Sequence, residues 1–244
     1  MGTLLNLSTR LENLVNLCDK VKTIADIGCD HGYVTAELIL SNKCDRVVAT
    51  DVSARSLNKA IQFCDSLNIC SYISFREGDG FKVVFKSDGV KQAIIAGLGG
   101  MEIIKILEEK KIRLKNFVLQ PMRDVVKLRE YLIQHRYKII ADYMVFEDGV
   151  FYNILKVKKG RTRLQPLEIY FGKDNFDWNT EVFKQYLLYE KEKLLSLSEK
   201  INGLTKNNEA HLLYVEAGLN YLEQIENGEI DDKKRRKLLN ERIV

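Results

Sequence analysis

The run Ile24-Ala-Asp-Ile-Gly-Cys-Asp-His-Gly-Tyr33 carries an apolar strand into a glycine-punctuated turn and then a helix. Twenty-three residues after Gly28, a second apolar stretch, Val47-Val-Ala-Thr-Asp-Val52, delivers Asp51 at its end. Gly28 and Gly32 let the backbone turn sharply and let a ligand lie against it. The helix that follows offers unpaired amide N–H groups to a carboxylate or phosphate. Asp51, with Val52 beside it, can accept hydrogen bonds from both hydroxyls of a ribose, so the pairing describes an adenosine pocket. A dinucleotide site wants G-x-G-x-x-G, but the second glycine position is Asp30. A carboxylate repels a pyrophosphate and attracts an α-ammonium or a sulfonium, which favours S-adenosylmethionine over NAD. No G-x-x-x-x-G-K-[ST] run is present for a nucleoside triphosphate.

Other residues have types and places suited to the same chemistry, each with a plainer alternative. Asp26, at the carboxyl end of the first strand, contacts cofactor or target, or else caps the loop. Asp30 serves catalysis or the methionine ammonium, or else stabilises the turn through its own side chain. His31 lines the pocket or is an incidental loop residue. After the third strand, Gly78-Asp79-Gly80 places Asp79 and Gly80 to hold the adenine amino group, or is a simple turn. Ala96-Gly-Leu-Gly-Gly100 ends the fourth strand; its small residues let a flat purine approach the backbone. Gly97 falls on the cofactor side of that run, and Leu98, Gly99 and Gly100 form a substrate wall or a tight strand-to-helix turn.

The elements that must position these residues alternate along the chain. A leading helix over 4–18 is followed by strands at 23–28, 46–51, 72–77, 92–97 and 116–120. Helices at 32–41, 54–67, 100–111 and 123–135 separate them, with a loop and short helix near 80–86. This alternation describes a parallel sheet covered on both faces. Residues 138–146 and 150–158 are β-rich runs joined by Glu147-Asp-Gly149, an antiparallel hairpin signal. Five parallel strands closed by a hairpin predict an α/β, Rossmann-like, seven-stranded class I methyltransferase sheet. The domain division is a catalytic domain over 1–160, a connector over 161–177, and a C-terminal arm over 178–244. In the arm, helices over 178–201 and 206–240 break at Asn202-Gly203 and pair as an antiparallel two-helix coiled coil. Val182, Tyr186, Leu187, Leu194 and Leu197 are expected to face Leu212, Val215, Leu219, Leu222 and Ile225.

Bulk properties narrow the partners. Of a net charge of +4, residues 1–160 carry +5 and residues 161–244 carry −1, which suits a polyanionic partner for the first part. Five scattered cysteines in mostly apolar surroundings argue for reduced thiols. His31, His135 and His211 share no ligand spacing and no C-x-x-C pair occurs, so no metal is expected. Without a signal peptide or long uncharged apolar segment, the chain is expected to be soluble and cytoplasmic, with no membrane partner and as a monomer. Lys233-Lys-Arg-Arg-Lys237 is a solvated helix end or a contact for an RNA backbone. Arg123 and Arg129 read as partners of neighbouring acids.

Ser8-Thr-Arg-Leu11, Ala25-Asp-Ile-Gly-Cys-Asp-His-Gly-Tyr33, Gly78-Asp-Gly80, Ala96-Gly-Leu-Gly-Gly100, Leu119-Gln-Pro121 followed by Leu128-Arg129, and Glu147-Asp-Gly149 followed by Phe151-Tyr152 together resemble the bacterial tRNA (adenine-22) N1-methyltransferase family. The resemblance spans roughly residues 5–175 in motif order. It implies methyl transfer from S-adenosylmethionine to the ring nitrogen at position 1 of an adenine in tRNA. Asp26 and Asp30 are then the candidate catalytic groups, and Arg10, Gln120 and Pro121 join the glycine run as candidate substrate contacts. The chain departs from the family pattern at Leu98, usually Met, and at Met122, usually Asn. Rival readings are the same fold acting on a small molecule or protein amine, and a catalytically silent RNA-binding protein.

Overall fold

The computed structural model of the chain describes residues 4–201 and 203–229. It forms two compact units. One runs to Ala141 and resumes over Val145–Thr162; the other comprises Asp142–Met144 and the chain from Arg163 onward.

The first unit is built on strands Val21–Ile27 (β1), Cys44–Asp51 (β2), Ile73–Glu77 (β3), Gln92–Leu98 (β4), Asn116–Pro121 (β5), Tyr137–Glu147 (β6) and Val150–Lys159 (β7). They make one seven-stranded sheet in the order β3-β2-β1-β4-β5-β7-β6. The first five are parallel, with Asp26 opposite Ala49 on one side and Ile94 on the other, and β7 joins β5 antiparallel. Central strands of such a sheet are buried on both faces and read as continuous apolar runs. Ile24, Ala25, Ile94, Ile95, Val118 and Leu119 accordingly are all almost completely buried. The β6–β7 turn carries Asp148 and Gly149 at φ 49° and 79°, the paired left-handed conformation a two-residue hairpin requires.

Helices Thr9–Leu17 (α1), Tyr33–Leu40 (α2), Ala54–Ser66 (α3), Gly100–Glu109 (α4) and Val125–Gln134 (α5) fall where their periodicity placed them, with shifted ends. α1 begins five residues later than the sequence suggests. Ser8 is its N-cap, and the preceding amides of Leu4 and Leu5 donate to the two oxygens of Glu37, 2.9 and 2.8 Å away. That carboxylate, fully buried on α2, gives the leading segment hydrogen bonds a further helical turn would otherwise have supplied.

At the start of α4 the Gly100 amide donates to the Arg123 carbonyl at 2.9 Å. A β-carbon at Gly100 would lie 2.5 Å from the Asp124 carbonyl oxygen. Gly100→Ala is therefore expected to destabilise the fold by about 1–3 kcal/mol. Thermal denaturation should register this as a loss of roughly 2–10 °C in melting temperature.

The second unit contains Pro166–Phe171 (α6), a 3-10 turn over Lys173–Phe176, and the helices Thr180–Ile201 (α7) and Lys206–Glu226 (α8). The stretch read from sequence as a connector is structural: Leu167, Phe171 and Phe176 are buried with Phe183, Leu187, Val215, Tyr221 and Leu222. Pairing of Lys184 with Glu226 and of Lys191 with Glu216 fixes α7 and α8 as antiparallel. Of the expected facing residues, Leu187, Leu194, Val215 and Leu222 are buried, whereas Ile225 is exposed. α8 stops at Glu226 rather than near 240, because Asn227 and Gly228 (φ 69°) turn the chain and cap the last carbonyls. The expected helix end at Lys233–Lys237 lies outside the described residues.

β6 is an edge strand, and its Asp142–Met144 segment is covered by side chains rather than by another strand. Asp174 Oδ2 accepts from the Asp142 amide at 2.7 Å, and Asn175 Oδ1 accepts from the Met144 amide at 3.0 Å. Asn179 Nδ2 donates to the Met144 carbonyl at 2.8 Å.

Candidate active site

The strand order reverses between β1 and β4, and it is at the carboxyl ends of strands around such a switch point that α/β sheets open a crevice. Two cavities of about 300 and 320 Å³ occupy that place, and both are lined by Gly28, Asp30, Ala96 and Gly97. The first also takes in Arg10, Asp26, His31 and Tyr33. The second takes in Asp51, Val52, Asp79, Gly80, Leu98 and Ile106.

The loop between β1 and α2 is stitched to the end of β2. Amides of Gly28 and Cys29 both donate to the Thr50 carbonyl, at 2.8 and 2.9 Å. Gly28, Asp30 and Gly32 alternate through the left-handed region with φ 79°, 45° and 78°. Aspartate tolerates that conformation better than most residues, which accounts for Asp30 where a third glycine would serve. A β-carbon at Gly32 would press on Ala60 at 2.9 Å, whereas at Gly28 or Gly97 it would project into open space. Gly32 is thus required by packing, while Gly28 and Gly97 leave a cradle that a side chain would fill. Gly32 starts α2 without a side-chain cap, leaving first-turn amides for an anionic group.

Asp51 is oriented rather than merely solvated. Its Oδ2 accepts from the Asp30 amide at 3.0 Å and its Oδ1 from the Ser53 amide at 2.8 Å. A carboxylate has about four lone-pair sites, so each oxygen keeps one for a diol. Asp79 lines the same cavity while paired with Lys82, whose ammonium holds its carboxyl below the ordinary range. These features fit the ribose and base of an adenosine.

Asp26 lies 4% exposed and accepts from the Thr35 hydroxyl at 2.6 Å. Burial raises its carboxyl to about 6, against the opposing pull of that hydrogen bond. Because the folded protein binds this proton more tightly than the unfolded chain, stability declines as pH rises from about 4 to about 6. Above that the buried carboxylate costs on the order of 3 kcal/mol until a cation faces it. Asp26→Asn is expected to stabilise the ligand-free protein above pH 6. The variant's advantage in urea unfolding should grow between pH 4 and pH 6 and level off beyond.

Arg10, from the second turn-forming residue of α1, enters the first cavity with unusual constraint. Its amide donates to Glu147 Oε2 at 2.6 Å, its Nη1 to Gln120 Oε1 at 2.9 Å, and its guanidinium lies 5.2 Å from the Tyr152 ring centre. The Nε is buried and without a hydrogen-bond partner. Gln120 is itself fully buried, and the same Oε1 accepts from the Gly97 amide at 3.1 Å. One side chain thus fixes Arg10 against the strand end shared by both cavities. Gln120 Nε2 donates to the Pro121 carbonyl and to Met122 Sδ at 3.1 and 3.3 Å, so Met122 keeps a polar contact here.

Not every expected residue lines the crevice. Gly99 and Gly100 pack against the Arg123 side chain and the Arg123–Asp124 backbone, and Gln120 and Pro121 are buried behind the cavities. The sequence reading placed Gly99 and Gly100 in the substrate wall and named Gln120 and Pro121 as candidate substrate contacts; none of the four is among the residues lining the two cavities. Arg129 is fully buried and donates to Asn153 at 2.8 Å, a core role. Among the lining residues to which the sequence reading gave no role are Cys29, whose buried thiol is pushed well above its ordinary value, Tyr33, Glu102 and Ile106. The i, i+4 spacing of Glu102 and Ile106 along α4 from the glycine run is the signal that could have found the last two.

Among the described residues no helix is long and apolar enough to cross a membrane, and no group of three or more potential ligands could hold a metal ion. Comparison with known proteins gives a concordant picture. The family model described as TrmK, tRNA (adenine(22)-N(1))-methyltransferase, matches residues 24–224. A Mycoplasma pneumoniae relative is 35% identical over 161 residues, covering 65% of this chain and 74% of that protein. The tRNA (adenine(22)-N(1))-methyltransferase of Bacillus subtilis is 34% identical over 160 residues, covering 64% and 66%. The B. subtilis TrmK crystal structure superposes with a TM-score of 0.74 at 27% identity, covering 91% of this chain and 99% of that one. M. capricolum TrmK in complex with S-adenosyl-homocysteine gives 0.73 at 26%, covering 91% and 98%. With a family model matching residues 24–224, a span that takes in the glycine loop and Asp51, the chain belongs to the TrmK family of tRNA (adenine(22)-N(1))-methyltransferases.

Proposed function

We propose that this protein transfers a methyl group from S-adenosylmethionine to N1 of adenine 22 in tRNA, working in the cytoplasm where its substrate is found. The observation that carries the reading is the pair of cavities meeting at Gly28, Asp30, Ala96 and Gly97, one furnished for an adenosine and the other with acids and a clamped arginine. When bound, the cofactor supplies a methyl group activated by its sulfonium. The roles on this chain follow from chemistry. Asp51 binds the ribose diol, and Asp79 with Gly80 borders the adenine. Asp26 and Asp30 supply negative charge toward the ammonium and toward the base, which gains positive charge on methylation. Adenine N1 already presents an in-plane lone pair, so no residue must first remove a proton. Alignment can therefore supply much of the acceleration, up to roughly 7–11 kcal/mol in well-oriented systems. Arg10 borders the first cavity, where the target base would enter, and Leu98 borders the second.

The deciding experiment incubates the protein with S-adenosylmethionine and unmodified tRNA, then maps the product by nuclease digestion and mass spectrometry. One methyl on adenine 22, with none transferred to free adenosine or to small amines, is the expected result. Methylation of a small molecule without tRNA, or of another nucleotide, would overturn the proposal.

A further inference from the structure

A third cavity, about 650 Å³, lies away from the crevice at the opposite, amino-terminal edge of the sheet. It is formed by the loops that lead into β4 and β5, and its charged lining is Lys86, Lys91, Lys111 and Arg113, with the half-exposed ring of Phe85. No acid belongs to the lining. None of these four cations has an ion-pair partner among the described residues, whereas nearby Lys82 and Lys105 both pair with Glu109. Asp88, the closest acid in sequence, is taken by Arg76 through two bonds of 2.7 Å and accepts from the Phe85 amide at 2.7 Å. Those bonds hold the first loop in shape while removing its negative charge from play.

The usual reason for cations after a helix, compensation of the carbonyl end, is already met by Lys110. Its ammonium donates to the Leu107 carbonyl at 2.8 Å and lies 5.9 Å from the Phe117 ring centre. Lys111 and Arg113 are surplus to that role. Four like charges held around one concavity repel one another, and an anionic occupant relieves that repulsion.

We propose that this groove is a docking site for the phosphate backbone of the tRNA substrate, distinct from the pocket that takes the reacting base. The inference rests on the methyltransferase reading for the identity of the RNA. Phosphate contacts set register and orientation without reading sequence. From Gln92 to Gly97, β4 rises by about 3.3 Å per residue. The groove and the crevice therefore lie roughly 17 Å apart along the strand, within the reach of a folded RNA lying along the domain and beyond that of one nucleotide. Engagement at both edges would make the enzyme select a tRNA by its shape.

The test measures tRNA affinity by fluorescence anisotropy over a range of salt concentrations. It compares the full-length protein with the triple variant Lys86→Glu, Lys111→Glu, Arg113→Glu and with a charge-preserving triple, Lys86→Arg, Lys111→Arg, Arg113→Lys. These positions are exposed, and circular dichroism with S-adenosylmethionine titration confirms folding and an intact crevice. The reversal should weaken tRNA binding about tenfold or more and reduce the slope of log affinity against log salt by roughly 2–3, since each phosphate contributes about 0.7–0.9. The charge-preserving variant should match the wild type. Equal affinity and slope in reversed and wild-type protein, with the wild type methylating tRNA, would overturn the groove alone. A wild type that bound no tRNA would overturn both the groove and the reading beneath it.

Discussion

Asp51→Ala is expected to weaken S-adenosylmethionine binding by roughly 10- to 150-fold, the equivalent of losing charge-assisted hydrogen bonds worth about 1.5–3 kcal/mol. Isothermal titration of the full-length protein measures it. The upper part of that range is favoured by the double use of the carboxylate. Besides facing the cavity, it holds the amides of Asp30 and Ser53, so its loss also loosens the loop that carries Gly28. Asp51→Asn, which retains one acceptor oxygen, should fall between the two. Unchanged affinity in the alanine variant would remove the ribose assignment.

Arg10→Ala should act on turnover instead. Its guanidinium is held by Gln120 and lies over Tyr152 at the rim of the first cavity, apart from the residues that line only the adenosine side. With an ionised donor at stake, single-turnover methylation of tRNA is expected to slow by on the order of 100-fold. Cofactor affinity should stay within about threefold, since the change leaves every group near the ribose in place. A large loss of cofactor binding with normal single-turnover chemistry would move Arg10 to the cofactor's side of the crevice.

How far these residues could be read before the structure depends on the range of the interactions involved. Gly28, Asp30, Gly32 and Asp51 announce themselves because the loop's backbone conformation is encoded where it occurs. The five parallel strands and the closing hairpin followed from alternation of short-range patterns and one Asp-Gly turn, whereas the order of the strands in the sheet came only with the structure. Gln120 is different: its function as the clamp of Arg10 spans 110 positions of chain, and no local periodicity records such a partner. Gly100 was legible as a small residue but not as one pressed against Asp124. Glu37 looked like an ordinary charge on a short helix, and its burial beneath the leading segment is a tertiary fact. The supposed connector shows the same limit. Leu167, Phe171 and Phe176 lie in pieces of six and four residues, too short for a helical pattern to emerge, yet they fill the second unit's core.

The polar cover over Asp142–Met144 bears on where this protein can be divided. Three side chains from residues 174–179 stand in for a neighbouring strand, satisfying two amides and a carbonyl. A fragment cut after Thr162, the natural place to isolate the catalytic half, would bare those groups on the outermost ribbon of the sheet. Bare ribbons recruit copies of themselves. The side chains of Asp174, Asn175 and Asn179 thus occupy pairing groups that an unguarded ribbon would offer to another copy, and a fragment lacking them is expected to be more prone to self-association.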